Sequence, residues 1–322
     1  MQKPAIETER QRVWNAIDGR KVDRRVRNLS QRIFTAERNG ARRTVRALPQ
    51  LMLRSSSHTL QSVRLLTQQN HGKHPPGVDK LVVKPPAARM RRVAHLQHTQ
   101  GWRASPVRRV FIPKQNGKLR PLGIATIADR AMQARVNNAL EPQSEARFEP
   151  RSYGFRPARR AHDAIEAICN RAPPRSRRRW VMDTDLQSAF DNIHHDLLLT
   201  LLADVPAKPR IKQWLKAGVM EHDTLDATLS GAPQGGPISP LLLNISFHGM
   251  EAALGSRRYR NGILTPTSRA VVRYADDLVG FCTSRAEADQ TIADLKVFLA
   301  PRGLTLAEEK TRIVQLTEGF DC

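Results

Sequence analysis

The chain has 322 residues, 40% hydrophobic and 26% charged, enough for a full core and two or three subdomains, which excludes a disordered tail. Its formal net charge of +23 is unevenly spread: residues 1–120 hold 27 Lys and Arg against 6 Asp and Glu, whereas 121–322 hold 26 against 24. That asymmetry is the footprint of a polyanion, most economically nucleic acid, and no lipidation signal or long apolar anchor argues for a membrane surface instead.

Cys169, Cys282 and Cys322 are far apart and have no Cys or His at zinc-ligand spacing, so reduced packing cysteines are expected. With no signal-peptide core and no run of transmembrane length, a soluble, cytoplasmic chain is expected.

From about 20 to 70 the apolar residues recur at helical spacing: Val22, Val26, Leu29 and Ile33, then Val45, Leu48 and Met52, then Leu60, Val63 and Leu66. Their other faces carry Arg24, Arg25, Arg27, Arg32, Arg38, Arg42, Arg43 and Arg46, a density that favours phosphate contact over a merely solvated face. Gly72, Pro75, Pro76 and Gly77 break the helices between His71 and Asp79, and Pro85-Pro86 makes a second break. Val107 to Ile112 reads as a strand, Gln115-Asn116-Gly117 as a hairpin turn, and Lys118 to Ile124 as the returning strand. Lys114, Lys118 and Arg120 would line this ribbon, suited to gripping a triphosphate or to touching only a nucleic-acid backbone.

Ala128 to Leu140 is expected to be helical. Phe148 to Pro157 is a Gly-, Pro- and aromatic-rich loop before a helix through Ala164, Ile165 and Ile168, and Arg171 to Arg179 is a Pro-broken basic loop. Trp180 to Leu186 reads as a buried strand that ends in acid. Asp183 and Asp185 are two apart and share one face of it, so either could reach a metal. A helix carrying Leu197 to Leu202 follows. Ser230 to Pro240 gathers Gly231, Pro233, Gly235, Gly236, Pro237 and Pro240 around Gln234, which admits close approach by a ligand, or an ordinary turn before the helix Leu241 to Phe247.

Ala270-Val271-Val272 and Leu278-Val279-Gly280-Phe281 read as two short strands flanking Arg273-Tyr274-Ala275-Asp276-Asp277. Two adjacent carboxylates in an apolar frame are costly without a compensating cation, and a divalent metal is the obvious one; a solvated hairpin tip is the plain alternative. Ala286 to Leu299 is then an amphipathic helix, and Glu308-Glu309-Lys310-Thr311 leads into a strand, Arg312 to Leu316.

Taken together, the basic ribbon, the Asp185 strand, the Pro233-Gln234-Gly235 loop, the Tyr274-Ala275-Asp276-Asp277 hairpin and the Lys310 strand occur in an order that resembles the reverse transcriptases, most closely the group II intron-encoded maturase family, over about residues 20–320. The resemblance implies an α+β right-hand polymerase with a small antiparallel palm sheet backed by helices. It divides the chain into a basic helical extension (1–70), mainly fingers (71–175) and mainly palm (176–322), with fingers and palm interleaved. It also implies an RNA-directed DNA polymerase, a nucleotidyltransferase that uses Mg²⁺ and dNTPs to extend a DNA primer on an RNA template.

By motif position Asp185, Asp276 and Asp277 resemble the metal-binding catalytic triad. Asp185 is preferred to Asp183 because the family's aspartate lies five residues before an aromatic, here Phe190. Lys114 and Arg120 resemble the residues that clamp the triphosphate, Gln234 and Gly235 the loop that orients nucleotide and templating base, Phe190 the gate beneath the sugar, and Lys310 the proton donor to pyrophosphate.

Family members usually continue past Glu318-Gly319-Phe320 into a thumb and an RNA-binding maturase region, so the expectation is a chain without a thumb, for which a second chain is an implied partner beside intron RNA. Two alternatives remain open: a non-catalytic RNA-binding module that assists intron splicing, and a reverse transcriptase domesticated for defence or a CRISPR-linked system.

Overall fold

The computed structural model describes residues 3–98, 101–113, 117, 119–172, 177–203, 205–256, 265 and 269–318. In chain order its helices are α1 (Lys3–Asn15), α2 (Gly19–Arg38), α3 (Arg42–Arg54), α4 (Ser56–Arg64), α5 (Pro86–Gln97), α6 (Ile127–Arg147) and α7 (Ala161–Cys169). These are followed by α8 (Ala189–Asn192), α9 (His195–Leu201), α10 (Lys208–Leu215), α11 (Ser239–Phe247), α12 (Met250–Ala253) and α13 (Arg285–Leu299). The strands are β1 (Val107–Pro113), β2 (Leu119–Ile124), β3 (Trp180–Thr184), β4 (Val219–Glu221), β5 (Thr224–Asp226), β6 (Ala270–Tyr274), β7 (Asp277–Cys282) and β8 (Arg312–Gln315). The class is α+β, as expected, and among the described residues no helix is long and apolar enough to cross a membrane.

The chain forms two units: Met1–Arg147 with Leu202–Leu229 and Pro233–Ser239, and Phe148–Leu201 with Ser230–Ala232 and Pro240–Cys322. In the first, the apolar stripes found in the sequence face inward: Val26, Ile33, Leu48 and Met52 cluster with Ala139 of α6, against which α2, α3 and α4 all pack. α6 runs on past the expected end at Leu140, through Pro142. Packing along three helices outweighs the one backbone hydrogen bond that Pro142 removes.

The break at 71–79 is strapped down rather than loose. Arg130 donates to the Gly72 and Pro75 carbonyls at 2.8 and 2.7 Å, and Arg108 donates twice to the Pro76 carbonyl. Pro85-Pro86 starts a helix as well as ending a loop, because Pro86 sits at the first position of α5, where its missing N–H costs nothing. α5 and the α1 that packs on it were not anticipated, since α1 leaves Ile6 and Val13 exposed and has little apolar stripe.

The ribbon β1–β2 is antiparallel, with Ile112 opposite Arg120, and its turn residues 114–116 and 118, Lys114 and Lys118 among them, lie outside the described residues. It belongs to a four-stranded sheet ordered β2-β1-β4-β5. The β4–β5 hairpin went unread because its two-residue turn is His222-Asp223, both at positive φ, rather than the Asn-Gly that advertises such a turn.

The second unit is built on an antiparallel sheet ordered β6-β7-β3-β8. α7 supplies Ala164, Ala167 and Ile168 to a core with Val181, Ala270, Val272, Val279 and Phe281, while α13 packs on β7, β3 and β8. The β6–β7 hairpin closes through Ala275 and Asp276, with Tyr274 opposite Asp277. Beside it Arg151–Gly154 runs as an extra backbone rail: Arg273 N donates to the Arg151 carbonyl and Tyr153 N to the Arg273 carbonyl, both at 2.9 Å. Gly154 meets the turn so closely that a Cβ there would lie 2.2 Å from Ala275 N.

Two substitutions test these two cores. Met52→Ala, at a fully buried position, is expected to cost about 2–5 kcal/mol in denaturant unfolding. Gly154→Ala is expected to cost about 1–3 kcal/mol, because backbone must move to admit the methyl group; an unchanged unfolding midpoint would show that the rail does not bear on the turn.

Candidate active site

Strand register decides which side chains meet in the second unit. Asp183 of β3 lies opposite Val279 of β7 and opposite Arg312 of β8. Paired residues point to the same face, and so do residues two apart along a strand. Asp277, two before Val279, and Asp185, two beyond Asp183, therefore share that face with Asp183, and Lys310, in the 3-10 turn Glu308–Lys310 just before β8, reaches the same face through its contact with Asp185. The contacts follow this logic: Arg312 Nη2 stands 3.7 Å from Asp183 Oδ2, and Lys310 Nζ donates to Asp185 Oδ2.

Asp185 sits just beyond the strand and its backbone is held on two sides. Its carbonyl accepts from Ala307 N at 2.9 Å, and Leu186 N donates to its Oδ1 at 2.7 Å. Leu186 and Leu306 bridge, and Gln187 N donates to the Thr305 carbonyl at 3.0 Å. On the opposite face, the Thr184 and Thr311 hydroxyls meet at 2.8 Å, which ties the Lys310 segment to β3.

The carboxylates feel one another. Loss of hydration, then Asp276 and Asp185, push Asp277 up to about 6 although its side chain still reaches solvent, and Lys310 pulls in the other direction. Asp183 is raised as well, first by burial, with Arg312 lowering it and Asp185 raising it. Lys310 is held above its ordinary value by its bond to Asp185. Among the described residues no three Asp, Glu, His or Cys side chains converge tightly enough to cage an ion.

Phe190, in α8, presents its ring to that of Phe155 edge-on, at 6.0 Å between centroids. Its carbonyl accepts from Ala232 N at 2.7 Å, and Gly231 lies so near Asp191 that a Cβ would come within 2.5 Å of the Asp191 carbonyl.

Arg120, Gln234 and Gly235 belong to the first unit. There the Gln234 carbonyl accepts from Gly123 N at 2.7 Å, which straps the loop to β2, the strand that carries the exposed Arg120. Gly235 has φ +102°, open to glycine alone, and faces the Gly123 carbonyl. The Arg120 ribbon and the Gln234 loop are thus neighbours within one unit, as Asp185, Asp276, Asp277 and Lys310 are within the other. Lys114 lies outside the described residues.

Arg273 was read only as part of a motif. It is 2% exposed, donating from Nη1 to the Ala275 carbonyl at 2.7 Å and from Nη2 to Asn244 Oδ1 at 2.8 Å and to Ser152 Oγ. The available signal was its place in a strand whose other residues, Ala270 to Val272, are all apolar.

Against known proteins, residues 112–320 match the family model described as reverse transcriptase (RNA-dependent DNA polymerase), and residues 14–96 match the N-terminal domain of reverse transcriptase. Protein YkfC of Escherichia coli is 32% identical over 305 residues, covering 84% of this chain and 80% of that protein. The group II intron-encoded protein LtrA of Lactococcus lactis is 41% identical over 151 residues, 45% of this chain but only 25% of LtrA. Among solved structures, telomerase from Candida albicans in complex with a telomeric RNA fragment aligns with a TM-score of 0.46 at 13% identity, over 68% of this chain and 43% of that one. With the polymerase model matched across most of its length, the chain belongs to the reverse transcriptase family, with the group II intron-encoded proteins and maturases as its relatives.

Proposed function

We propose that this chain is the polymerase core of a group II intron-type reverse transcriptase, its second unit the palm and its first the fingers, adding dNTPs to a DNA primer on an RNA template. The observation that carries the reading is the register that sets Asp185 and Asp277 on one face of a four-stranded antiparallel sheet, next to Asp276 in the turn, with Lys310 paired to Asp185 beside them. The charge of residues 1–120 supports an RNA partner, intron RNA in the first instance.

Among the described residues the chemistry of the donor set, rather than a closed cage of ligands, fits Mg²⁺. Asp185, Asp276 and Asp277 offer the hard oxygen donors it prefers, and the burial, with the repulsion from Asp276 and Asp185 behind it, that raises Asp277 is what a divalent cation would offset. Bound there, Mg²⁺ would supply the positive charge that favours an ionised primer 3′-oxygen and a departing pyrophosphate.

The protein's own task is positional. As the 3′-oxygen bonds to the α-phosphorus and the bond to the β-phosphate's bridging oxygen breaks, Lys310 Nζ, kept protonated by Asp185, is the donor for the leaving pyrophosphate. Within the first unit Arg120 is the candidate to take triphosphate charge, and Gln234 and Gly235 to orient a nucleotide; within the second, the Phe190 ring is the candidate to occupy the space that a ribose 2′-hydroxyl would need. LtrA is the longer protein, the matched 151 residues being 25% of it.

Primer extension on an RNA template tests this. Asp276→Asn is expected to abolish extension while leaving RNA binding intact; wild-type protein that is folded and template-bound yet never extends a primer would rule the polymerase out in favour of a non-catalytic splicing module. Phe190→Ala is expected to improve use of rNTPs relative to dNTPs on the order of tenfold, read from single-nucleotide incorporation; an unchanged ratio would remove Phe190 from sugar selection.

A further inference from the structure

We propose that Arg273 is a positioning residue for the metal-binding carboxylates: from beneath the hairpin its guanidinium fixes the peptide between Ala275 and Asp276, and Ser152 and Asn244 fix the guanidinium. The inference rests on the polymerase reading above.

The turn needs such a device. Ala275 has φ +56°, a region that a non-glycine residue enters at a cost and holds only when its surroundings insist. Ala275 precedes Asp276 and Asp277, so relaxation of its backbone would swing both carboxylates. Arg273 Nη1 donates to the Ala275 carbonyl at 2.7 Å, which sets the plane of the peptide that leads into Asp276.

The guanidinium is itself immobilised. Nη2 donates to Asn244 Oδ1 at 2.8 Å and to Ser152 Oγ, and the Phe247 ring lies 4.7 Å away under the guanidinium carbon. Asn244 completes the loop by donating from Nδ2 to the Gly154 carbonyl at 3.0 Å, and Gly154 is the residue pressed against Ala275. The turn, the rail 151–154 and α11 are therefore joined through one side chain.

Strand stability alone does not ask for this residue. Val271 and Val272 fill the same strand without polar atoms, whereas a buried guanidinium must be desolvated and then bonded at nearly every donor. A planar fork can hold the Ala275 carbonyl, Ser152 and Asn244 at once; the ammonium of a lysine has neither the reach nor the directions.

The test measures metal binding directly, with Mn²⁺ as the probe and the disappearance of its free-ion electron paramagnetic resonance signal as the readout, on full-length protein of known unfolding midpoint. Arg273→Lys is expected to weaken Mn²⁺ binding by about 10–100-fold, the range seen when partners behind metal ligands are lost, with RNA affinity unchanged. Ser152→Ala, a milder change that keeps the arginine, is expected to weaken it severalfold and decides the matter if Arg273→Lys does not fold. Wild-type Mn²⁺ affinity in a folded Ser152→Ala or Arg273→Lys protein overturns the positioning role, even if the unfolding midpoint has dropped. Mn²⁺ binding that Asp276→Asn leaves unaltered overturns the metal-site reading, and the positioning role with it.

Discussion

A buried arginine under a two-residue turn is the constraint around which the second unit is arranged. Burial pushes the Arg273 guanidinium down to about 10, with Glu149 the foremost group that opposes the shift. Moving a cation out of water costs several kcal/mol even after relaxation, so its surroundings must offset that cost with acceptors or a ring. The fold supplies the Ala275 carbonyl, Asn244, Ser152 and the face of Phe247, while among the described residues Nε stays without a hydrogen-bond partner and Arg156 opposes the charge. Glu149 and Glu251 stand behind them, each tied to backbone, Glu251 N donating to Glu149 Oε1 at 2.9 Å and Arg151 N to Glu251 Oε1 at 3.1 Å. Burial raises Glu149 in turn. The irregular path of 148–157, neither helix nor proper strand, follows from the need to bring these acceptors to one point. Arg156 reinforces it by donating to the Glu149 and Ser152 carbonyls, both at 2.6 Å.

Above that turn, the sheet converts sequence spacing into proximity. Asp183 and Asp185 are chemically alike and two residues apart, yet the structure gives them different partners. Asp183 is inside β3 and faces Arg312, while Asp185 has left the ladder and faces Lys310. The one inside is committed to a cation of the sheet; the one outside stands at the end of the ladder, held by backbone bonds rather than by strand pairing. Lys310 follows the same rule. Its place depends on antiparallel pairing of β8 with β3, on the Thr184–Thr311 contact and on the 3-10 turn in which Lys310 N donates to the Ala307 carbonyl at 3.0 Å.

Much of this was legible in the residues. The period-two and period-3.6 patterns located the helices of the first unit, the ribbon, and the strands of the second, because those elements each bury one face. The pair Asp276-Asp277 stood out as charge in an apolar frame. What stayed hidden had physical causes. β4 and β5 are too short to show alternation and turn on His222-Asp223; α5 begins at a proline that also ends a loop; α6 passes through Pro142 because its environment is tertiary. In the sequence an arginine beside a turn looks solvated, and only partners more than 20 positions earlier in the chain, Ser152 and Asn244, reveal that Arg273 is not.

The first unit poses a complementary problem. Six acids among its first 120 residues cannot neutralise 27 bases, and the pairs they make include Asp23 with Arg64 at 3.4 Å, Glu37 with Arg147 at 2.6 Å, and Glu7 with Arg10 at 3.0 Å and Arg91 at 2.5 Å. Such surface pairs contribute little, so the helices are held by the Ile33–Met52 core and by α6, against the repulsion of their own arginines. A polyanion that binds the folded arrangement removes that repulsion and adds its binding energy to stability. The stripe that folds these helices and the charges that burden them occupy opposite faces of the same segments, so the cost of the arginines in the free protein is what would favour a bound polyanion.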